Sequence, residues 1–198
     1  MSAGSEDQKD IKNKADHHLR NIVDLLPTTD KQTRLRWVEE LIFKLDLVLQ
    51  IDLEKDYDIT LDRIKINPNG DLTLDLISPS SNGEMSEVYK PPESFFGESS
   101  DAEKSNIWSG GVCVYYIAAL SFPWKRASLG DTHFRRWVDK KVFMGTIDKK
   151  AKRALNCMLT VDWKERPCMK EVIREFCRPS PNSSVVGKLQ LFKTATKF

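Results

Sequence analysis

The sequence predicts a mainly α domain built around one buried central helix, with one short β-hairpin. Three observations carry this. First, Ser105 to Pro123 places Ile107, Trp108, Val112, Val114, Tyr115, Ile117, Ala118 and Leu120 on every side of a 3.6-residue helix. A helix that is apolar all round is buried on all sides. Second, several other stretches repeat apolar residues at i, i+3 and i+4, the period of a one-faced helix. Third, strict alternation flanks Pro68-Asn69-Gly70.

The central stretch is too short, and too interrupted by Ser109, Gly110 and Gly111, to read as a membrane span. The two glycines cost helix propensity. The expected return is close approach by another backbone, because glycine has no side chain to hold it off.

In chain order, residues 1–10 are expected to be a disordered N-terminus. Ile11, Ala15, Leu19, Ile22, Val23 and Leu26 then space a helix that Pro27 ends. His17 and His18 fall beside its stripe, as surface residues. Thr29 and Gln32 have capping-box spacing, with Asp30 adding negative charge at the next helix start. That second helix carries Leu35, Val38, Leu41, Ile42, Leu45, Val48 and Leu49. Ile64-Lys65-Ile66 and Leu72-Thr73-Leu74 form the hairpin, and Asn69-Gly70 supplies its positive φ angles. Residues 78–104 are rich in Ser, Pro, Gly and Glu and read as a loop.

After the central helix, Asp131 or Thr132 caps a short helix through Lys141. Ile147, Ala151, Ala154, Leu155 and Met158 mark another. Met169, Val172, Ile173 and Phe176 mark the last, with Pro167 near its first turn. The domain is thus expected over 11–178. Residues 179–198 are a linker and a tail that docks on the domain, binds a partner or stays loose.

Charge and cysteine usage bound the function. With 30% charged residues and a net charge of only +2, the 198-residue chain is not expected to be a general nucleic-acid binder. Its first twenty residues are polar and charged, so neither a signal peptide nor a membrane partner is expected. Cys113, Cys157, Cys168 and Cys177 form no C-x-x-C pair. Cys113, Cys157 and Cys177 lie in helical patterns and read as small buried hydrophobes. A reducing compartment, cytoplasmic or nuclear, follows. His17, His18 and His133 have no zinc spacing with the cysteines, so no metal and no cofactor is expected.

Three anchors in this order resemble the C-terminal lobe of a eukaryotic protein kinase. Ser105-Asn106-Ile107-Trp108-Ser109-Gly110-Gly111-Val112 looks like the D-x-W-S-x-G-V that opens that lobe's central helix. Pro91-Pro92-Glu93 looks like the A-P-E that closes the activation segment. Leu159 to Pro167, LTVDWKERP, looks like L-x-x-D-P-x-x-R-P and includes Asp162. The likeness covers about residues 19–178. It implies structural roles for Glu93, Trp108, Asp162 and Arg166, with Glu93 and Arg166 as a buried ion pair.

The same resemblance implies that catalysis is lost. The chain has no Gly-rich loop and no V-A-I-K-like strand for an upper lobe. Asp58 stands where the catalytic base belongs, but Thr60 replaces the loop lysine and Arg63 replaces the metal-binding asparagine. A guanidinium repels Mg²⁺ rather than ligating it. In the best register Leu76-Ile77-Ser78 replaces D-F-G, a slip of one offering Asp75 with Leu76-Ile77 behind it, and Asn106 replaces the aspartate that braces the catalytic loop. Asp58 is therefore expected to be an inactive, solvated loop acid. The architecture is similar to the kinase non-catalytic C-lobe (KIND) domain, a binding module of actin-nucleating and exchange-factor proteins.

The expected partner surface is the helix from His133 to Lys141 with its approach, Phe122 to Arg126. Its candidate contacts are Trp124, Arg135, Arg136, Trp137, Lys140 and Lys141. Trp and Arg are favoured at binding hot spots. The plainer reading puts the aromatics in the core and the basic groups in solvent. The serine-rich loop with Tyr89 reads either as a plain surface loop or as a phosphorylation target.

The resulting expectation is a non-enzymatic, pseudokinase-like scaffold or regulatory module without ATP binding. Its partner would be another protein, such as a kinase or a cytoskeletal regulator. One alternative is a completing or regulatory part of a kinase whose upper lobe lies on another chain. Another is a weak nucleic-acid binder through the basic helix.

Overall fold

The computed structural model describes residues 19–76, 85–97, 101–143 and 145–179. The expectations for residues 1–18, 77–84, 98–100 and 180–198 lie outside them. The described fold is mainly helical, with a three-stranded antiparallel sheet in the order β1-β2-β3. Its elements are β1 (Arg20–Asn21), α1 (Ile22–Leu25), α2 (Lys31–Ile51), β2 (Ile64–Ile66), β3 (Leu72–Leu74), α3 (Ala102–Ala119), α4 (Thr132–Lys140), α5 (Lys149–Met158) and α6 (Met169–Cys177).

The first expected helix is corrected over its described part. Arg20 and Asn21 pair with Ile66 and Lys65 as an edge strand. The Asn21 side chain then accepts from Val23 N at 3.0 Å and starts a single helical turn. Leu26–Thr28 tightens into a 3₁₀ turn that contains Pro27. Ile22 and Leu26 are still core residues, so the apolar spacing marked burial without marking a continuous helix.

α2 is capped by Asp30, which accepts from Gln32 N and Thr33 N. Thr29, the expected cap, spends its hydroxyl on Leu25 O at 2.7 Å. The hairpin stands at the expected strands. Of its turn residues only Gly70 has positive φ, at 87°, so Asn69 is corrected to ordinary backbone. Gly70 N donates to Asn67 O, and Asn67 N to Asp71 O, which makes a three-residue loop ending in a left-handed glycine. Arg36 Nη2 and Trp37 Nε1 both donate to Gly70 O, and Glu40 accepts from Leu72 N, so the hairpin is fixed to α2.

α3 begins three residues earlier than expected, capped by Asp101, and ends at Ala119. Every residue from Ser105 to Tyr115 is buried. It lies against α2 and α5, while α6 lies against α5 and α2. The glycines do admit close neighbours, but these are side chains and not a second backbone. A Cβ on Gly110 would meet Leu45 Cδ1 at 2.5 Å. One on Gly111 would meet Met158 Cβ and Leu159 Cδ2, each at 2.9 Å.

That difference makes a prediction. Leu45 Cδ1 is the end of a side chain, whereas Met158 Cβ moves only with its helix. Gly111→Ala is expected to cost about 1–3 kcal/mol of overpacking, partly offset by up to about 1 kcal/mol of helix propensity. Thermal unfolding should show Gly111→Ala less stable than both the parent and Gly110→Ala. A more stable Gly111→Ala would refute the close approach.

The remaining helices carry smaller corrections. Asp131 caps α4, and Asp148 caps α5, which leaves Ile147 outside that helix. α6 starts at Met169 with Cys168 as its cap residue, so Pro167 lies outside the first turn. Cys113 is buried as expected, Cys157 is partly so, and Cys177 is exposed.

Candidate functional site

α4 separates its residues by face. Phe134 and Trp137 point inward, while Arg135, Arg136, Lys140 and Lys141 are exposed. The three-residue step from Phe134 to Trp137 returns to one face, and the residues between them cannot follow. Trp137 is 2% exposed; its Nε1 donates to Leu159 O at 2.9 Å and its ring stacks on Phe143 at 4.2 Å. Trp124, also 2% exposed, packs between Trp108 and Phe134, with centroids 5.4 and 5.1 Å away. Trp124 and Trp137 are therefore corrected from contact residues to core, because their rings are already covered. What the surface offers is charge. Lys141 keeps one tie inward, its Nζ 4.9 Å above the Trp137 ring.

Asp131 holds this helix to its approach. Its carboxylate accepts from Lys125 N, His133 N and Phe134 N at 2.9, 2.8 and 3.0 Å. Burial alone would raise the carboxyl. The backbone N–H groups of Lys125, Phe134 and His133 outweigh burial and hold it below the usual carboxylate range. A depressed folded value means that the cap is in force at neutral pH. It is lost as the pH falls below the ordinary aspartate value of about 4 and through the folded one. Arg126, on the approach, lies over the Phe95 ring at 4.2 Å and 3.6 Å from Glu87.

Beneath the tryptophans lies a buried charge cluster. Arg166 Nη1 and Nη2 donate to Glu93 Oε1 and Oε2 at 2.8 and 3.0 Å, with side-chain exposures of 0% and 2%. Arg166 also donates to Thr160 O and Lys104 O, and its guanidinium lies 4.8 Å over the Trp108 ring. Lys104 Nζ donates back to Arg166 O at 2.7 Å. Asp162 is exposed and folds the loop ahead of Arg166, accepting from Lys164 N at 3.0 Å.

A second polar centre joins the loop before β2 to α3. The fully buried Asn106 accepts from Tyr57 N through Oδ1 and donates to Lys55 O through Nδ2, each at 2.8 Å. Asp58 is not the freely solvated acid expected. Its carboxylate is half-buried and receives Arg63 Nη2 at 3.4 Å. Tyr89 is also covered, and its hydroxyl accepts from Leu61 N at 3.4 Å. Burial pushes its phenol up. It is therefore not offered to a modifying enzyme.

Sequence reasoning missed two of these features. The Asp58–Arg63 pair joins residues five apart, a spacing that marks no regular element. The Asn106 amide had the signal of a polar residue inside an apolar helix, but its partners lie some fifty residues away. Among the described residues, no group of three His, Cys, Asp or Glu side chains is placed to hold a metal ion. No described helix is long and apolar enough to cross a membrane. Neither a protein-family model nor a curated protein matches the chain.

Proposed function

We propose that the chain is a non-catalytic module, similar to a protein-kinase C-terminal lobe, that acts by binding another protein. The observation that carries this reading is the Asp58–Arg63 pair. On the kinase resemblance, Asp58 stands at the base position and Arg63 at the metal-ligand position. The residue that would hold Mg²⁺ instead places a cation on the carboxylate that would take the proton. That arrangement disfavours both metal binding and proton abstraction. It also counts against a completing part for a kinase split over two chains, because a supplied upper lobe would leave the pair in place.

The frame around that centre is tied by buried polar contacts. Asn106 braces the loop, and Glu93 and Arg166 join distant parts of the chain. The surface that this frame presents is the basic face of α4, with Arg135, Arg136 and Lys140 outward. It suits a partner with an acidic patch.

The test compares the full chain with an Arg135→Glu, Arg136→Glu, Lys140→Glu variant in pull-downs from the native source. The expected result is a partner protein held by the parent and lost by the variant, with unchanged thermal unfolding. Mg²⁺-dependent phosphoryl transfer by the purified chain would overturn the reading. Loss of a nucleic acid instead of a protein, with binding that weakens steeply in salt, would replace it.

A further inference from the structure

One face of α2 is only half covered. At its first part, Arg36 and Glu40 reach the hairpin through Gly70 O and Leu72 N. The same face continues four residues at a time as Phe43, Leu47 and Ile51. The hairpin stops short of these three, and they are 39%, 63% and 81% exposed. Leu53, just beyond the helix, is 55% exposed. Alongside runs a groove of about 350 Å³ between α2 and the starts of α3 and α6, lined in part by Asp46, Leu49, Leu53, Glu103, Met169 and Lys170. A run of exposed large apolar side chains on one helix face is a candidate contact site.

The charge around the ridge says what fits it. From Glu39 to Asp56 the sequence holds Glu39, Asp46, Asp52, Glu54 and Asp56, besides Glu40, which Arg36 and Leu72 N already engage, against two lysines, Lys44 and Lys55. α2 has no basic residue in its last turn, so its negative pole is left without a compensating side chain. Glu103 adds a further acid at the groove, where Lys170 is the opposing charge.

We propose that this ridge and groove form a second docking surface, which takes a cationic amphipathic helix of another protein. The proposal rests on the binding-module reading and gives it a site separate from α4. Apolar side chains at i, i+3 and i+4 of the incoming helix lie along Phe43, Leu47 and Ile51. Its lysines or arginines meet the acids beside them, and an anionic helix with the same apolar pattern is refused. α4 of a second copy does not fit. It is basic, but its Phe134 and Trp137 are spent on its own core. Residues 180–198 of this chain do carry the right chemistry, with Lys188, Lys193, Lys197, Leu189, Leu191 and Phe192 and no acid. They are the competitor that a test must separate.

The test titrates the full chain with two synthetic helical peptides that share one leucine pattern. One has lysine and the other glutamate at every polar position. Amide NMR shifts locate the site, and fluorescence anisotropy gives the affinity. The expected result is that the lysine peptide binds roughly tenfold or more tightly than the glutamate peptide, with shifts on α2 and around Glu103. A Leu47→Gln, Ile51→Gln variant, which removes the apolar contact without adding charge, should lose that binding and keep its melting temperature. Equal binding of both peptides, or undiminished binding by the variant, overturns the proposal. Shifts in residues 180–198 caused by the variant without peptide also overturn it, and make the chain's own tail the occupant. The α4 charge-reversal variant should bind the lysine peptide as the parent does. Failure of the native pull-down therefore remains distinguishable from failure here.

Discussion

Replacing Arg166 with alanine should destabilise the domain by about 3–5 kcal/mol, because it leaves the Glu93 carboxylate buried without its counter-charge. The pair is fully enclosed and bidentate. Arg166→Ala also removes the donors to Thr160 O and Lys104 O. The surface supplies a control. Arg174 and Glu171 also form an Arg–Glu pair, at 3.4 Å, but their side chains are 70% and 47% exposed. Arg174→Ala should cost less than about 1 kcal/mol. Burial therefore separates the two pairs more than distance does. A combined Glu93→Leu, Arg166→Met variant should recover part of the Arg166→Ala loss, because no charge is then stranded. The Thr160 carbonyl still loses its donor, at about 1–3 kcal/mol, while the Lys104 carbonyl keeps its place in α3. Urea unfolding measures all four proteins. Equal loss for Arg166→Ala and Arg174→Ala would show that the buried pair does not hold the fold.

Asn106→Asp should cost about 3 kcal/mol at neutral pH and much less in acid. The amide accepts from Tyr57 N and donates to Lys55 O. An ionised carboxylate keeps the first bond and turns the second into repulsion between two oxygens. A protonated carboxyl can make both. Burial and the Lys55 carbonyl both favour the proton, so the introduced acid titrates above its unfolded value of about 4. The folded state then binds more protons than the unfolded one across that interval. Stability relative to the parent is best below the unfolded value and falls as the pH rises through the folded one. Asn106→Leu cannot make either bond and should lose stability almost equally at every pH. The comparison is a series of unfolding curves from acid to neutral pH. A penalty for Asn106→Asp that does not change with pH would exclude the donated bond.

α2, α4, α5 and α6 were legible because each writes its burial into a period, and α3 because it is apolar on every side. α3 has no polar stripe and is enclosed by its neighbours; α4 alternates Phe134 and Trp137 with charge and splits by face. Asp131 could be read as a cap because an acid preceded that pattern. What the pattern could not show was local competition. Thr29 and Asp30 are both good caps, and the choice fell to Asp30 once the Thr29 hydroxyl had bonded Leu25 O. β1 was hidden because two residues have no period, and its partners come after the whole of α2. Trp124 and Trp137 misled for another reason. The residue type that favours an interface also favours a core, and only packing separates the two. The polar bonds of Asn106 and Arg63 depend on loop backbone, which hydrophobic spacing does not encode.

The Glu93–Arg166 bridge joins positions 73 residues apart, and protein synthesis meets those positions in a fixed order. A nascent chain acquires its carboxylate, α3 and α4 before the guanidinium exists. Until Arg166 emerges, the carboxylate must stay in water, and the Trp108 ring lacks the guanidinium that lies over it. Such an intermediate exposes apolar surface of the kind chaperones hold. Arrested chains carrying Arg166→Ala, tethered by a linker long enough to bring α6 out of the ribosome, should therefore retain chaperone longer than the parent chain so tethered. The same bridge that closes the finished domain thus cannot form before the chain has been made through Arg166.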